Sequence, residues 1–567
     1  MTEAWWQRKD GWKDQVAYQI YPRSFKDSNG DGIGDIPGII EKLDYLQELG
    51  IGIIWLSPVF ASPMDDNGYD ISDYRDIAKE FGTMADMDRL IQEGKKRGIG
   101  IMMDLVVNHS SDEHDWFQAS KESMDNPYRD YYIWREGDKD KPLADGRPSP
   151  PNDLTSFFSG SAWEWEPTTG HYYLHLFTKK QPDLNWDNPS LRHDVYDMMN
   201  WWMDKGICGF RMDVIDLIGK DVDRKITTEG PELHPRLQEM HGQVFVHRQA
   251  VTVGETWSVT PETATLYSGR DRKELSMVFQ FEHVTAFHHE SLGKWKSKPV
   301  DFGVIKDIFE KWQLALEDDG WNSLFWSNHD LPMAVSKYGD DISYLKESAK
   351  MLATMIHFMK GTPYVYQGEE FGMTNVRFDN LDDYNDVELL NAYKDLVPKG
   401  LISHEAMMEG IYADGRDNAR TPMQWDDRTH GGFTEGSPWI KVNPNFSDIN
   451  AARDRADEDS IFRYYQDLIR LRKKWPLVVK GRFCRHLREQ KNLFVYTRTL
   501  GSQVLLVMIN HTDKTQEINP GDFAFMGTQT WREEEPLICN YPHRGDRSKK
   551  KKWQMAPYES IAYLVQN

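Results

Sequence analysis

Asp213, Glu255 and Asp330 are carboxylates that close short stretches of similar design: Gly209-Phe210-Arg211-Met212-Asp213, Val253-Gly254-Glu255 and Ser327-Asn328-His329-Asp330. A fourth stretch, Asp104-Leu105-Val106-Val107-Asn108-His109, ends in an amide and an imidazole. Cleaving a glycosidic bond needs two carboxyl groups, one a nucleophile or base and the other an acid that stays protonated near neutrality. Asp213 and Glu255 are the candidates for that pair. Asp330, flanked by Asn328 and His329, could hold ring hydroxyls and favour distortion toward an oxocarbenium-like state. Arg211 stands two residues before Asp213, hence on the same side of a strand, where its charge keeps the aspartate ionised.

Something must bring these stretches together, and each follows or closes an apolar run that reads as a buried parallel strand. Eight such runs are followed by helical patterns: Val16–Ile20, Ile53–Leu56, Ile101–Val107, Gly209–Met212, Ala250–Val253, Leu275–Phe279, Ser323–Trp326 and Thr362–Val365. That alternation predicts an α/β fold, a (β/α)8 TIM barrel, whose chemistry sits at the C-terminal ends of the strands. The stretch from His109 to Trp186, rich in Asp, Ser, Pro, Gly and aromatics, is too long for a connection and predicts an inserted domain after strand three. A second insertion, about Asn375 to Pro438, follows strand eight. After the helical stretch Ser460–Lys473 the pattern alternates, as in Asn492–Arg498, Gln503–Asn510 and Ser560–Val565, which predicts a C-terminal antiparallel β domain. The expected organisation is a catalytic barrel over 1–109 and 181–479, an inserted subdomain over 110–180 and a C-terminal β-sandwich over 480–567.

A net charge of -22 argues against nucleic-acid or anionic-membrane partners, whose phosphates would be repelled, and leaves a small neutral substrate as the partner. The lysine run Lys549 to Lys552 reads as a solvated turn. Three cysteines, an odd number in a long chain, make no disulfide framework and suit a reducing compartment. The first ten residues lack a signal-peptide core and no run is long enough to span a bilayer, so a cytoplasmic monomer is expected. In the run Asp27-Ser28-Asn29-Gly30-Asp31-Gly32-Ile33-Gly34-Asp35, oxygen ligands alternate with glycines as at the start of an EF-hand loop, which predicts a structural Ca²⁺ and no cofactor for catalysis.

The four stretches resemble the motifs of the α-amylase superfamily, glycoside hydrolase family thirteen, over nearly the whole chain. Gln181-Pro182-Asp183-Leu184-Asn185 and Gly415-Arg416-Asp417-Asn418-Ala419-Arg420-Thr421-Pro422-Met423-Gln424-Trp425 look like motifs of its oligo-1,6-glucosidase and dextran glucosidase (glucan 1,6-α-glucosidase) subgroup. The resemblance implies that Asp213 is the nucleophile, Glu255 the acid/base and Asp330 the transition-state stabiliser, with retention of the α configuration. It implies that His109, Arg211 and His329 bind the non-reducing glucose, that Asp66 and Arg416 grip its O4 and close the pocket behind it, and that Tyr69 is the aromatic platform. Trp257, Phe281 and Glu388 are expected to bind substrate beyond it, with Lys294 beside Glu388. Asp27, Asn29, Asp31, the Ile33 carbonyl and Asp35 are the implied calcium ligands. Val214 matches members that cut α-1,6 bonds, whereas α-1,4-preferring relatives carry Ala or Thr there.

The expectation is therefore a retaining exo-α-glucosidase acting on isomalto-oligosaccharides, with activity on dextran as an extension. Met333 stands where relatives commonly have Arg, and the loss of a contact either to the leaving sugar or to the calcium-independent loop network is expected, with catalysis itself preserved. A trehalose-6-phosphate hydrolase shares the fold and the three carboxylates and is the alternative; it would need a phosphate site. A non-catalytic binding or chaperone module is the remote one.

Overall fold

The structure, a computed structural model, describes residues 4–519, 536–541 and 552–566. Eight parallel strands form the barrel: β1 Ala17–Ile20, β2 Ile53–Leu56, β3 Gly100–Leu105, β4 Gly209–Met212, β5 Val251–Glu255, β6 Met277–Phe279, β7 Ser323–Leu324 and β8 Thr362–Tyr366. They pair in sequence from β1 to β6, β8 pairs with β1, and β7 with β8. A parallel bridge between Val278 and Asn322 closes the ring.

The strands read as unbroken apolar runs because both faces are covered. Alternate residues separate into two layers. Ala17, Ile53, Trp55, Met102, Val251, Val253, Met277, Phe279 and Tyr364 belong to one buried cluster. Their neighbours Tyr18, Ile54, Leu56, Met103, Phe210 and Met212 join the larger core beneath the helices. In β4 that alternation turns Phe210 and Met212 to the helices and leaves Arg211 and Asp213 to face inward.

Met84–Lys96 starts at a Thr83/Asp86 capping box after β2, Leu345–His357 follows β7, and Ile461–Lys474 takes up the expected helical stretch Ser460–Lys473. β7 is shorter than the expected run to Trp326. The chain leaves the ladder there to bury the Trp326 indole, whose Nε1 donates to the Leu352 carbonyl at 2.9 Å.

The long connection after β3 holds the helix Asp115–Glu122 and an antiparallel sheet of Trp134–Arg135, His171–Leu174 and Trp163–Glu166. It rejoins the barrel through bridges between His109 and Asp183 and between Tyr132 and Leu184. The connection after β8 carries the helices Val387–Leu396, His404–Asp414 and Asp417–Arg420. The first two pack around their own cluster of Leu389, Met407 and Ile411. The C-terminal strands Arg482–His486, Leu493–Leu500, Gln503–Asn510, Ser560–Gln566 and Ile538–Cys539 form a five-stranded antiparallel sheet. The pair Gln516–Ile518 and Trp553–Met555 shares a buried cluster with one face of it. Lys549, Lys550 and Lys551 lie outside the described residues; Lys552 pairs with Glu517 at 2.8 Å.

The Met333 side chain is fully buried in the main core.

Candidate active site

Arg211 is the centre of the site. Its Nη1 donates to Asp104 Oδ1 at 2.7 Å and to Asp213 Oδ1 at 2.8 Å, and its Nη2 to Glu255 Oε2. The ends of β3, β4 and β5 thus place three carboxylates on one buried guanidinium, and the set carries excess negative charge. Burial pushes the Asp213 carboxyl well above its usual range, against Arg211, and the adjoining Glu255 and Asp104 push it further. Burial also raises Asp104, to about 6, although Arg211 pulls it down and Trp55 Nε1 donates to it at 3.0 Å. Arg211 itself stays charged, its carboxylate neighbours outweighing its desolvation.

Glu255 is held on three sides. Besides Arg211, its Oε2 accepts from the Val214 amide at 3.3 Å, and its Oε1 accepts from Trp257 Nε1 at 2.7 Å. Trp257 lies flat on Phe281, centroids 3.9 Å apart and planes 9° from parallel. Phe281 is buried beneath it, while Trp257 keeps 45% of its surface exposed and presents a face to the mouth. Val214 follows Asp213 in a left-handed conformation, φ 35°, which is strained for a β-branched residue.

Asp330 has a different environment. It accepts from Arg420 Nη2 at 2.6 Å and from Arg416 Nη1 at 3.3 Å, with His329 Nε2 3.3 Å away. Burial opposes its charge, but the Arg416 and Arg420 guanidiniums outweigh that and hold it well below the usual carboxylate range. Gln19 Nε2, 2.8 Å from His329 Nδ1, leaves the ring proton on Nε2, which faces Tyr69 Oη at 2.7 Å. Tyr69 donates in turn to Asp104 at 3.1 Å and stacks on His329 with ring centroids 5.2 Å apart. Burial pulls His329 down to about 3, so it works as a neutral donor.

Asp66, buried, accepts from Gln181 Nε2 at 3.2 Å and lies 3.8 Å from Arg416 Nη2. Arg416 is shared further: Asp386 accepts from its Nε at 2.9 Å, and Glu388 Oε2 lies 3.3 Å from that Nε and accepts from Lys294 Nζ at 2.6 Å. Gln181 Nε2, which donates to Asp66, also lies 3.2 Å from His109 Nε2, and that nitrogen is 3.0 Å from the Tyr69 carbonyl. The His109 ring meets Phe177 with centroids 5.0 Å apart, and burial lowers it to about 4.

Three contributors were not singled out from sequence. Arg420 stands one helical turn after Arg416, so the pair lies on one face of Asp417–Arg420, a spacing that was available as a signal. Asp386 and Trp55 reach the site from remote loops and strands, and no local pattern marks them.

In the glycine-rich loop, Asp27 Oδ1 accepts from the Asn29 and Gly30 amides and Oδ2 from Gly32, while Asp31 caps the Ile33 amide. Asp35 binds Ser28 and the Gly38 amide at the start of the helix Ile36–Glu41. The all-oxygen donor set suits a hard cation. Among the described residues, no three His, Cys, Asp or Glu side chains are gathered closely enough to hold a metal.

The α-amylase catalytic-domain profile matches residues 19–481. The chain belongs to the α-amylase family. Within that family it is 52% identical over 572 residues to an oligo-1,6-glucosidase of Halalkalibacterium halodurans, an alignment covering 98% of this chain and 99% of the relative. It is 53% identical to a glucan 1,6-alpha-glucosidase of Streptococcus pneumoniae, over 91% of this chain and 93% of that one. A crystal structure of the Bacillus licheniformis trehalose-6-phosphate hydrolase superposes with a TM-score of 0.90 at 44% identity, covering 98% of this chain and 100% of that one. The family's barrel and C-terminal sheet are those described above. Among the described residues no helix is long and apolar enough to cross a membrane.

Proposed function

We propose that this protein is a retaining, exo-acting α-1,6-glucosidase that removes glucose from the non-reducing end of isomalto-oligosaccharides and, by extension, dextran. The observation that carries it is the convergence of Asp213 and Glu255 on Arg211 beside an Asp330 held ionised by Arg416 and Arg420. Asp213 attacks the anomeric carbon while Glu255 protonates the departing 6-oxygen. Glu255 then takes a proton from the water that opens the glucosyl ester on the same face, and α-glucose is released. The fixed charge of Asp330 stabilises the oxocarbenium-like state and holds ring hydroxyls with His329 and His109. Asp66 and Arg416 grip O4 behind, Tyr69 stacks on the ring, and Trp257 and Glu388 meet the leaving sugar.

The test is kcat/KM for glucose release from isomaltose, isomaltotriose, dextran, maltose and trehalose 6-phosphate. Isomalto-substrates should lead, and a lead for trehalose 6-phosphate would overturn the substrate assignment. The lysines nearest the site support a neutral substrate, since Lys294 is tied to Glu388 and Lys220 to Asp183 at 3.1 Å. Val214→Ala should cut the isomaltose-to-maltose ratio of kcat/KM by about tenfold, because a buried methyl pair is worth roughly 1–3 kcal/mol of discrimination. It should not destabilise the fold, since Ala relieves the crowding of a branched side chain at φ 35°.

The loop Asp27–Asp35 would hold Ca²⁺ through Asp27, Asn29, Asp31, the Ile33 carbonyl and Asp35, bracing the turn after β1. About one equivalent of calcium per chain is expected by elemental analysis. Chelation should lower the melting temperature and leave kcat at low temperature unchanged. With Cys208 buried and Cys484 exposed as free thiols, a reducing cytoplasm is the compartment that fits, and a monomer the simplest state.

A further inference from the structure

Asp213 and Glu255 sit on separate strands, and the distance between them decides whether attack and protonation meet on one bond. Three residues beyond each lies one half of a buried link. Asp216, in the short helix Ile215–Leu217, accepts from Ser258 Oγ at 2.6 Å and also from the Ser258 amide. Asp216 is 1% exposed. Its backbone is fixed too, its carbonyl accepting from the Glu229 amide at 3.2 Å. Glu229 receives the Tyr267 hydroxyl and lies 3.5 Å from Ser258 Oγ. Thr256, between Glu255 and Ser258, anchors its hydroxyl on the Phe279 carbonyl at 2.8 Å, so the β5 loop is firm where it meets the link.

Only Val214 and Ile215 separate Asp213 from Asp216, and Val214 carries the left-handed strain. That conformation aims the Val214 amide at Glu255 Oε2. A strained β-branched residue keeps such a conformation only when both flanks are pinned. Arg211 pins Asp213 on one flank, and the Ser258 link pins Asp216 on the other.

We infer that the Asp216–Ser258 link is a positioning device that sets the spacing and orientation of Asp213 relative to Glu255. Neither residue touches the reacting atoms. When the link is cut, Val214 relaxes, its amide leaves Glu255, and the nucleophile moves off line while the sugar-binding groups on β3 and in the loops after β2, β7 and β8 stay in place. The inference rests on the assignment of Asp213 and Glu255 above.

The experiment compares Ser258→Ala, Asp216→Ala and Asp216→Asn with the parent on isomaltose, with Asp213→Ala as control and melting temperatures alongside. A displacement of about 1 Å at a reacting group lowers turnover up to roughly a hundredfold. Ser258→Ala and Asp216→Ala should therefore lose about ten- to a hundredfold in kcat with KM within about twofold. Asp216→Asn, whose amide oxygen still accepts from Ser258, should stay within about threefold of the parent. If Asp216→Ala does not fold, the contrast between Ser258→Ala and Asp216→Asn decides. A folded Ser258→Ala with parental kcat, or one that raises KM as much as it lowers kcat, overturns the inference. So does an Asp216→Asn as slow as Ser258→Ala. Turnover retained in Asp213→Ala would instead mark failure of the underlying assignment.

Discussion

Asp213→Ala is expected to abolish glucose release from isomaltose, with kcat down about 10⁴-fold or more, while the protein folds as before. On the proposed mechanism the loss follows from removing the group that forms the glucosyl ester. Preservation of the fold follows from the charge balance around Arg211. A buried ion pair is dangerous to break when it leaves one charge alone. Here Arg211 keeps Asp104 at 2.7 Å and Glu255 as partners. The deleted carboxylate is the one that burial and its two acidic neighbours already push up. The melting temperature should match or exceed that of the parent, read beside kcat on the same preparation. A variant that turns over, or one that unfolds, contradicts this account.

Glu255→Gln carries the second large effect. Turnover of isomaltose should fall by about 10²–10⁴-fold, the range for a general acid. With an aryl glucoside the first step should be much less impaired, because that leaving group departs without a proton. The acid limb of the pH profile should persist in the variant and lie above the ordinary carboxylate range. On the proposed mechanism it reports Asp213, which must be ionised to attack and is raised by burial, and not Asp330, which is held low. A glutamine can accept from Arg211 with its single oxygen but then turns its amide toward the Trp257 N–H, so Trp257 should also shift and its fluorescence change. Turnover of isomaltose at the parental rate would show that another residue is the acid.

The barrel was legible because parallel strands buried on both faces appear as bare apolar runs, and because the polar residues at their ends interrupt those runs sharply. Ile53–Leu56 and Gly209–Met212 have the expected limits. β7 is the exception: Phe325 and Trp326 look like a continuing strand, since composition cannot separate a tryptophan in the ladder from one leaving it to reach Leu352. Around the site, residues within one motif could be placed by spacing, as Arg211 and Asp213 were. Partnerships between motifs could not. Asp330 depends on Arg420, 90 positions away, and Arg416 on Asp386, 30 away. Trp55 meets Asp104 only once β2 and β3 are paired.

Arg416 sits where Asp66, Asp330 and Asp386 meet. If Asp66 and Arg416 grip O4 as proposed, the bound glucose lies deeper than the remainder of the chain and leaves behind it. The shortened chain must therefore depart before the free glucose can, and it cannot slide inward to present its next unit. Each productive encounter then removes one residue and ends. Digestion of a long α-1,6 glucan should be distributive, with all chains shortening together and no population of fully degraded molecules beside untouched ones.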